Sequence, residues 1–397
     1  MIDITRLYCG EKTAGEKIRY GWRSEEKDLL KLALERRPVV VWNMTRTCNL
    51  KCLHCYSDSE SKAYPGELTT HEALAVVKDL AEFKIPALLL SGGEPLLRKD
   101  IFVIVREAKC LGLRVTLSSN GTLITHSMAE RIKEAGFIYV GLSLDGRGDV
   151  HDQFRGVKGS FEKTLAAIRH CKDVGQKVGL RLTLTRHTLQ NLSEILELMV
   201  REGIDRACFY HLVFTGRGRF LKEESLSKVE MREAMDLILK TAKTFHLSGL
   251  HKEVLTVGNP GDGVYVYLKL LQDGDHEKAK EAFELVSHNG GGLFGSGVGL
   301  GRIDYYGNVH PDQFWMDKSL GNVKDRPFSQ IWQDLENPLM KGLKSRLSLL
   351  KGRCSTCRWK EQCGGGLRTR AHLAYDDPWA EDPGCYLTDR EIAAEAD

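Results

Sequence analysis

The sequence predicts an α/β fold: a partial (β/α)6 TIM-like barrel followed by a small C-terminal domain. Three observations carry this. From residue 38, short β-branched or leucine-rich runs alternate with amphipathic stretches whose apolar residues recur at i, i+3 and i+4. The strand-like runs are nearly continuous in apolar residues, as strands of a parallel sheet covered on both faces must be. Beyond residue 250 the alternation fades, and a second group of cysteines follows.

In order, the predicted strands are 39–45, 85–91, 113–119, 138–144, 178–185 and 207–214. Helical patterns occupy 68–84, 100–112, 125–135, 160–174, 191–202 and 227–246. Thr69-x-x-Glu72 forms a capping box, and Gly112, Gly136, Gly175 and Gly203 stand where helices stop. Six such units make an incomplete barrel, whose chemistry belongs at the C-terminal strand ends. The domains expected are an N-terminal extension (1–37), the barrel (38–250), a glycine-rich bridging region (251–302) and a C-terminal domain (303–397). The glycine-rich stretches 258–263 and 289–301 lack the order of a phosphate-binding loop and read as loops and turns. A hairpin is expected within 303–332, turning at Tyr306-Gly307-Asn308.

Apolar and charged fractions of 42% and 28% are those of an ordinary globular protein. A formal charge of +3, with lysine and arginine interleaved among acids, leaves no nucleic-acid footprint. No apolar run has the length of a membrane span. Residues 1–6 include an early acid and no apolar core, so no secretory signal is read there. The 11 cysteines are therefore expected in a reducing cytoplasm, where clustered thiols mean metal or redox chemistry. Cys110, Cys171 and Cys208 are isolated and read as small buried hydrophobes. Cys9 receives no role.

Cys48, Cys52 and Cys55 form a C-x3-C-x2-C run directly after the first strand. Three thiolates around a four-iron cube leave one iron without a protein ligand, open to a cofactor that receives an electron. A zinc site with His54 as fourth ligand is the competing reading. One unit later, Ser91-Gly92-Gly93-Glu94-Pro95 ends the second strand. Paired glycines let a backbone approach a ligand closely. Ser118-Ser119-Asn120-Gly121 and Gly141-Leu142-Ser143-Leu144-Asp145-Gly146 then place polar groups at the ends of the third and fourth strands.

This constellation resembles the radical S-adenosylmethionine (SAM) enzymes. The resemblance implies a [4Fe-4S] cluster on Cys48, Cys52 and Cys55, its open iron chelated by the amino and carboxylate groups of SAM. It implies that Gly92, Gly93 and Glu94 hold the methionine end of SAM. Ser119, Asn120, Ser143 and Asp145 would contact its carboxylate and ribose, Arg155 its carboxylate, and Tyr56 the region of the adenine. Ordinary turn chemistry, a solvated arginine and packing of Tyr56 on the loop are the plainer alternatives.

The second group is Cys354-x2-Cys357-x5-Cys363, with Cys385 following. This spacing fits a four-cysteine iron–sulfur site better than the paired C-x2-C hooks of a zinc ribbon. It resembles the auxiliary-cluster half of the SPASM or Twitch extension carried by many radical SAM enzymes. The hairpin at 301–315 has no cysteine, and Val309-His310-Pro311-Asp312 stands where relatives often read valine-tyrosine-proline-cysteine. One auxiliary [4Fe-4S] cluster is thus expected, not two, with Asp312 or His310 as iron ligands only by exception.

Segments 37–56, 216–218, 307–315 and 363–387 resemble the subgroup that modifies iron tetrapyrroles. The resemblance implies radical removal of two acetate side chains from 12,18-didecarboxysiroheme, giving iron-coproporphyrin III in siroheme-dependent haem synthesis. A low-potential donor such as ferredoxin or flavodoxin would supply the electron. A polycarboxylate substrate needs arginine forks; Arg217, Arg219, Arg302, Arg368 and Arg370 are the candidates. His211 and His310 are candidates for the substrate iron. A peptide-modifying SPASM maturase, a related haem side-chain step, and an iron–sulfur or zinc protein without activity remain as alternatives; SAM consumption separates the last.

Overall fold

Each barrel strand is followed by a helix that carries the chain back to the same end of the sheet, so successive strands run parallel. The computed structural model describes residues 1–21, 28–288 and 295–393. Among these, one sheet contains β1 (Ile2–Asp3), β2 (Val39–Asn43), β3 (Leu88–Ser91), β4 (Val115–Ser119), β5 (Tyr139–Ser143) and β6 (Val178–Leu184). It continues with β7 (Arg206–His211), β8 (Glu253–Val257), β9 (Leu300–Ile303), β10 (Asn308–His310) and β11 (Gly321–Asn322). Their order is β1-β8-β7-β6-β5-β4-β3-β2-β9-β10-β11. Strands β2 to β8 are parallel neighbours in chain order, and β9 adds to the free edge of β2, again parallel.

Six helices match the patterns read from sequence: Thr70–Glu82, Ile101–Cys110, His126–Ala135, Ser160–Asp173, Leu192–Arg201 and Lys228–Leu247. The Thr69 hydroxyl accepts from Glu72 N, and the Glu72 carboxylate accepts from Thr69 N. Gly136, at φ 90°, ends its helix in the left-handed conformation. Leu88, Leu90, Val140, Leu142 and Leu180 on the strands are buried against Val77, Ile104, Ile132 and Ile168 on the helices. Each such side chain contributes roughly 1.5–3 kcal/mol by leaving water.

Two expectations are corrected. The parallel run does not stop at six strands, because β8 is a seventh. The region after residue 250 is also not loop, since helices Gly261–Gln272 and His276–His288 follow β8. The apolar run of β8 is only Val254-Leu255-Thr256-Val257, too short to stand out beside Glu253 and Gly258. Its first helix opens Gly-Asp-Gly and is rich in valine and tyrosine, so local propensity opposes what burial enforces. Of the glycine-rich stretch 289–301, residues 289–294 lie outside those described. Cys171 and Cys208 are buried as expected; Cys110 is exposed, on the outer side of its helix end.

The N-terminal ends of the strands are closed by charge. β1 pairs antiparallel with β8, and Arg19 joins Asp3 and Glu253, with Arg206 completing the network on Glu253. The opposite, C-terminal end stays open. Next to it, β9 and β10 form the expected hairpin, where the Asp304 carboxylate accepts from Tyr306 N and Asn308 N, both at 2.9 Å, and Gly307 takes φ 91°.

Candidate active site

The loop carrying Cys48, Cys52 and Cys55 leaves the C-terminal end of β2 and is held by backbone from β3. Met44 N donates to Ser91 O (2.8 Å), Gly93 N to Thr45 O (2.7 Å) and Glu94 N to Thr47 O (2.9 Å). A Cβ on Gly92 would lie 2.5 Å from Thr45 O, and one on Gly93 2.2 Å from Thr47 O. The glycine pair therefore seats the thiol loop as well as opening the strand end. From the other side, Gly216 at φ 55° abuts Cys55 O and Tyr56 O. Arg217 donates to Cys52 O (2.8 Å), Asp58 Oδ1 (3.0 Å) and Ser59 O (2.9 Å).

Above this loop lies an open cavity. Cys48, Cys52, Cys55, Tyr56, Gly92, Gly93, Ser119, Asn120, Ser143 and Arg155 all line it. Asn120 Nδ2 donates to Asn49 Oδ1 (2.9 Å), tying β4 to the thiol loop. The Tyr56 hydroxyl accepts from Asn43 Nδ2 (2.9 Å), and its ring meets Phe314 edge-on. Arg155 pairs with Asp145 and holds Nη1 3.6 Å from Cys52 Sγ, while its buried Nε has no partner.

Glu94 and Asp145 sit behind the wall, not on it. Both are fully buried. Glu94 accepts from Ser119 Oγ (2.9 Å), Asn120 N (2.8 Å) and Leu96 N (3.2 Å), which aims the end of β4 into the cavity. Burial outweighs those donors and pushes its carboxyl up to about 7. For Asp145 burial acts upward too, but Arg155 and His54 overcome it and hold the carboxyl below its usual range. His54 is stacked on Phe154 at 4.5 Å, with Nε2 4.0 Å from Asp145 Oδ2.

Apart from His211, the far wall was not read from sequence. It includes Arg181 and Thr183 of β6, Tyr210 and His211 of β7, and Gln313 and Phe314 beyond β10. Arg181 donates to Ser118 Oγ (2.7 Å) and lies over the Tyr210 ring. A charge inside the otherwise apolar run of β6 was the available signal.

Of the residues expected at a substrate, only His211 lines this cavity. Arg217 braces the thiol loop, and Arg219 is exposed beside Phe220. Arg302 is buried under the hairpin, donating to Gln313 O and Trp315 O. His310 is used up between Lys318 O and Asp304 Oδ2. Arg368 donates to Pro378 O and Ala380 O, and Arg370 pairs with Asp382. Apart from the exposed Arg219, these side chains hold loops together, a use that composition cannot distinguish from ligand binding.

Cys354, Cys357, Cys363 and Cys385 line a second cavity. Gly364, Gly365 and Gly366 have φ 63°, 78° and 80°, a left-handed succession that other residues rarely adopt. Asp382 accepts from Leu367 N (2.7 Å), Gly384 N (2.9 Å) and both arms of Arg370. Asp312, by contrast, is saturated: Ser296 Oγ, Thr369 Oγ1, Phe314 N and Trp315 N all donate to it. His310 and Asp312 thus have partners within the protein.

The donor set of the first cavity fits an iron–sulfur cluster. Its three thiols line one wall, and burial pushes the Cys48 thiol up to about 12, so its thiolate form requires a cationic centre. Residues 42–216 match the radical SAM superfamily. Over 397 residues the chain is 47% identical to the Fe-coproporphyrin III synthase of Methanosarcina barkeri, covering 99% of each chain.

The chain belongs to the radical SAM superfamily.

Membership in that superfamily makes it an enzyme that uses a [4Fe-4S] cluster and SAM. It is also 44% identical to the pre-heme d1 synthase of Dinoroseobacter shibae, over 91% of this chain and 89% of that one. Its fold matches that of SuiB from Streptococcus suis bound to S-adenosylmethionine, with TM-score 0.69, 16% identity, and coverage of 89% and 78%. Among the described residues, no helix is long and apolar enough to cross a membrane.

Proposed function

We propose that this radical SAM enzyme removes two acetate side chains from 12,18-didecarboxysiroheme, giving iron-coproporphyrin III in siroheme-dependent haem synthesis. The full-length match to an Fe-coproporphyrin III synthase carries this reading, because it extends beyond the barrel over the far cavity wall and the four-cysteine segment.

Cys48, Cys52 and Cys55 hold the cluster. Bound there and reduced, the cluster and SAM would supply radical hydrogen-abstraction chemistry to the substrate. Gly92, Gly93, Ser119, Asn120, Ser143 and Arg155 bind SAM, and Tyr56 faces its adenine. Glu94 and Asp145 act one layer back, by aiming β4 and Arg155. On the far wall Arg181 is the cation available to a substrate carboxylate, while Leu212, Val213 and Phe314 exclude water.

Cys354, Cys357, Cys363 and Cys385 hold a second [4Fe-4S] cluster with no open corner, suited to electron transfer. Support comes from the left-handed glycines and from Arg368, whose buried Nε and Nη2 have no partner near these thiols. Ferredoxin or flavodoxin supplies the electron. The 11 free cysteines favour a cytoplasmic enzyme. The domain division proposed is 1–37, 38–250, 251–302 and 303–397, with β8 carrying the parallel run past the second boundary and β9 crossing the last.

The test is anaerobic incubation with reductant, SAM and 12,18-didecarboxysiroheme, read by mass spectrometry. Loss of two acetate units is expected. SAM cleavage with the tetrapyrrole unbound and unchanged overturns the reading.

A further inference from the structure

One lining side chain has a more elaborate setting than wall packing requires. His211 ends β7 at 3% exposure, and its Nε2 lies 2.9 Å from Asp262 Oδ2. Asp262 is fully buried and accepts a second hydrogen bond, 2.7 Å from the Tyr386 hydroxyl. The Tyr386 ring lies nearly parallel to the imidazole, at 7° and 6.3 Å. Asp262 opens the helix Gly261–Gln272, and Asn259 just before it donates to Gly384 O at 2.9 Å. Three separate parts of the chain therefore fix one ring.

The chemistry of that ring follows. An ionised carboxylate only accepts, so Nε2 carries a proton, and in the neutral ring Nδ1 keeps a lone pair. Among the described residues Nδ1 makes no hydrogen bond, and it is not one of the sealed, unpartnered atoms. His211 lines the cavity that also holds the three thiols. The other lining imidazole, His54, is stacked in the wall with its Nδ1 sealed. A histidine that binds a metal commonly donates its second ring N–H to a carboxylate, which fixes tautomer and direction.

We infer that His211 Nδ1 ligates the iron of the tetrapyrrole substrate, with Asp262 and Tyr386 as positioning residues for the ring. This rests on the iron-tetrapyrrole reading above. It makes the iron itself a recognition element. Carboxylate anchors alone do not distinguish iron-loaded from metal-free macrocycles; an imidazole ligand does.

The experiment compares ferric iron-coproporphyrin III with metal-free coproporphyrin III, which has the same carboxylates, on the cluster-loaded protein with SAM. Affinity is measured by equilibrium dialysis, and the iron spin state by electron paramagnetic resonance. The wild type is expected to bind the iron form at least tenfold more tightly. His211→Ala is expected to bind both forms equally, its retained metal-free binding reporting an intact fold, and added imidazole restores the iron preference. Asp262→Asn keeps the ring but weakens its donation, and shifts the bound iron toward high spin. Equal wild-type affinities, or an iron preference that survives His211→Ala, overturn the inference and leave the proposed function standing. If neither macrocycle binds the wild type, the proposed function falls and the inference with it.

Discussion

Cys48, Cys52 and Cys55 are positioned from outside their own loop, whereas Cys354, Cys357, Cys363 and Cys385 are positioned mostly from within one short segment. The first loop is gripped by Gly92-Gly93 after β3, by Asn120 after β4 and by Gly216-Arg217 after β7. In the second, Asp382 fastens Leu367, Arg370 and Gly384, and three left-handed glycines turn the chain between Cys363 and Leu367. A loop that must leave one wall open to a cofactor has fewer neighbours of its own, and borrows rigidity from distant strands. Four thiols closing on one another need no open wall, and the segment supplies its own frame.

The largest effect tests this division directly. Replacing Cys48, Cys52 and Cys55 together by Ala removes all 5′-deoxyadenosine formation and about half the iron, since the four-thiol frame is independent. Iron analysis and chromatography of the reaction check both; loss of all the iron breaks the comparison. Asp382→Ala has the reverse signature. It strands the buried Arg370 cation at a cost of about 3–5 kcal/mol, emptying the second site while the first keeps its iron.

Glu94 sharpens the contrast through pH. Its folded-state carboxyl, at about 7, lies above the 4.5 of an unfolded chain. Ionisation therefore disfavours the folded state, and stability falls by up to about 3 kcal/mol as pH rises from 4.5 to 7, then levels off. Glu94→Gln does not titrate, so its urea midpoint is expected to lack that decline between pH 5 and 7.5; parallel curves for the two proteins count against it. The smallest effect is that of Arg217→Ala, which frees Cys52 O and Ser59 O at about 1–3 kcal/mol. Reduced iron at the first site with unchanged macrocycle binding is expected; weakened macrocycle binding returns Arg217 to the role its sequence position suggested.

The barrel and both thiol groups were legible because they are written locally, as periodicities and short spacings. What lay beyond reach depended on which way a side chain points. Glu94 and Asp145 stand at strand ends beside Gly93 and Leu144, yet both turn behind the wall, and a strand terminus does not announce its last side-chain direction. Arg368 and Arg302 looked like anchors for carboxylates, but they satisfy carbonyls that only the folded loops bring near. Asp262 and Tyr386 are 124 positions apart and meet only through tertiary packing. β8 was hidden because its apolar run is only residues 254–257, too short to stand out in the sequence.

The sheet is continuous from β8 through β2 to β11, and β2 is hydrogen-bonded on both edges. The four-thiol segment is clasped to the loops at the ends of β8 and β10 by Asn259 to Gly384, Asp262 to Tyr386 and Asp312 to Thr369. The spacing between the two thiol groups is thus a property of one stiff plate, not of a jointed arm. Moving one group relative to the other means breaking those clasps. An electron passing between centres held there tunnels over a gap set once, at folding, so its transfer rate is expected to be indifferent to solvent viscosity.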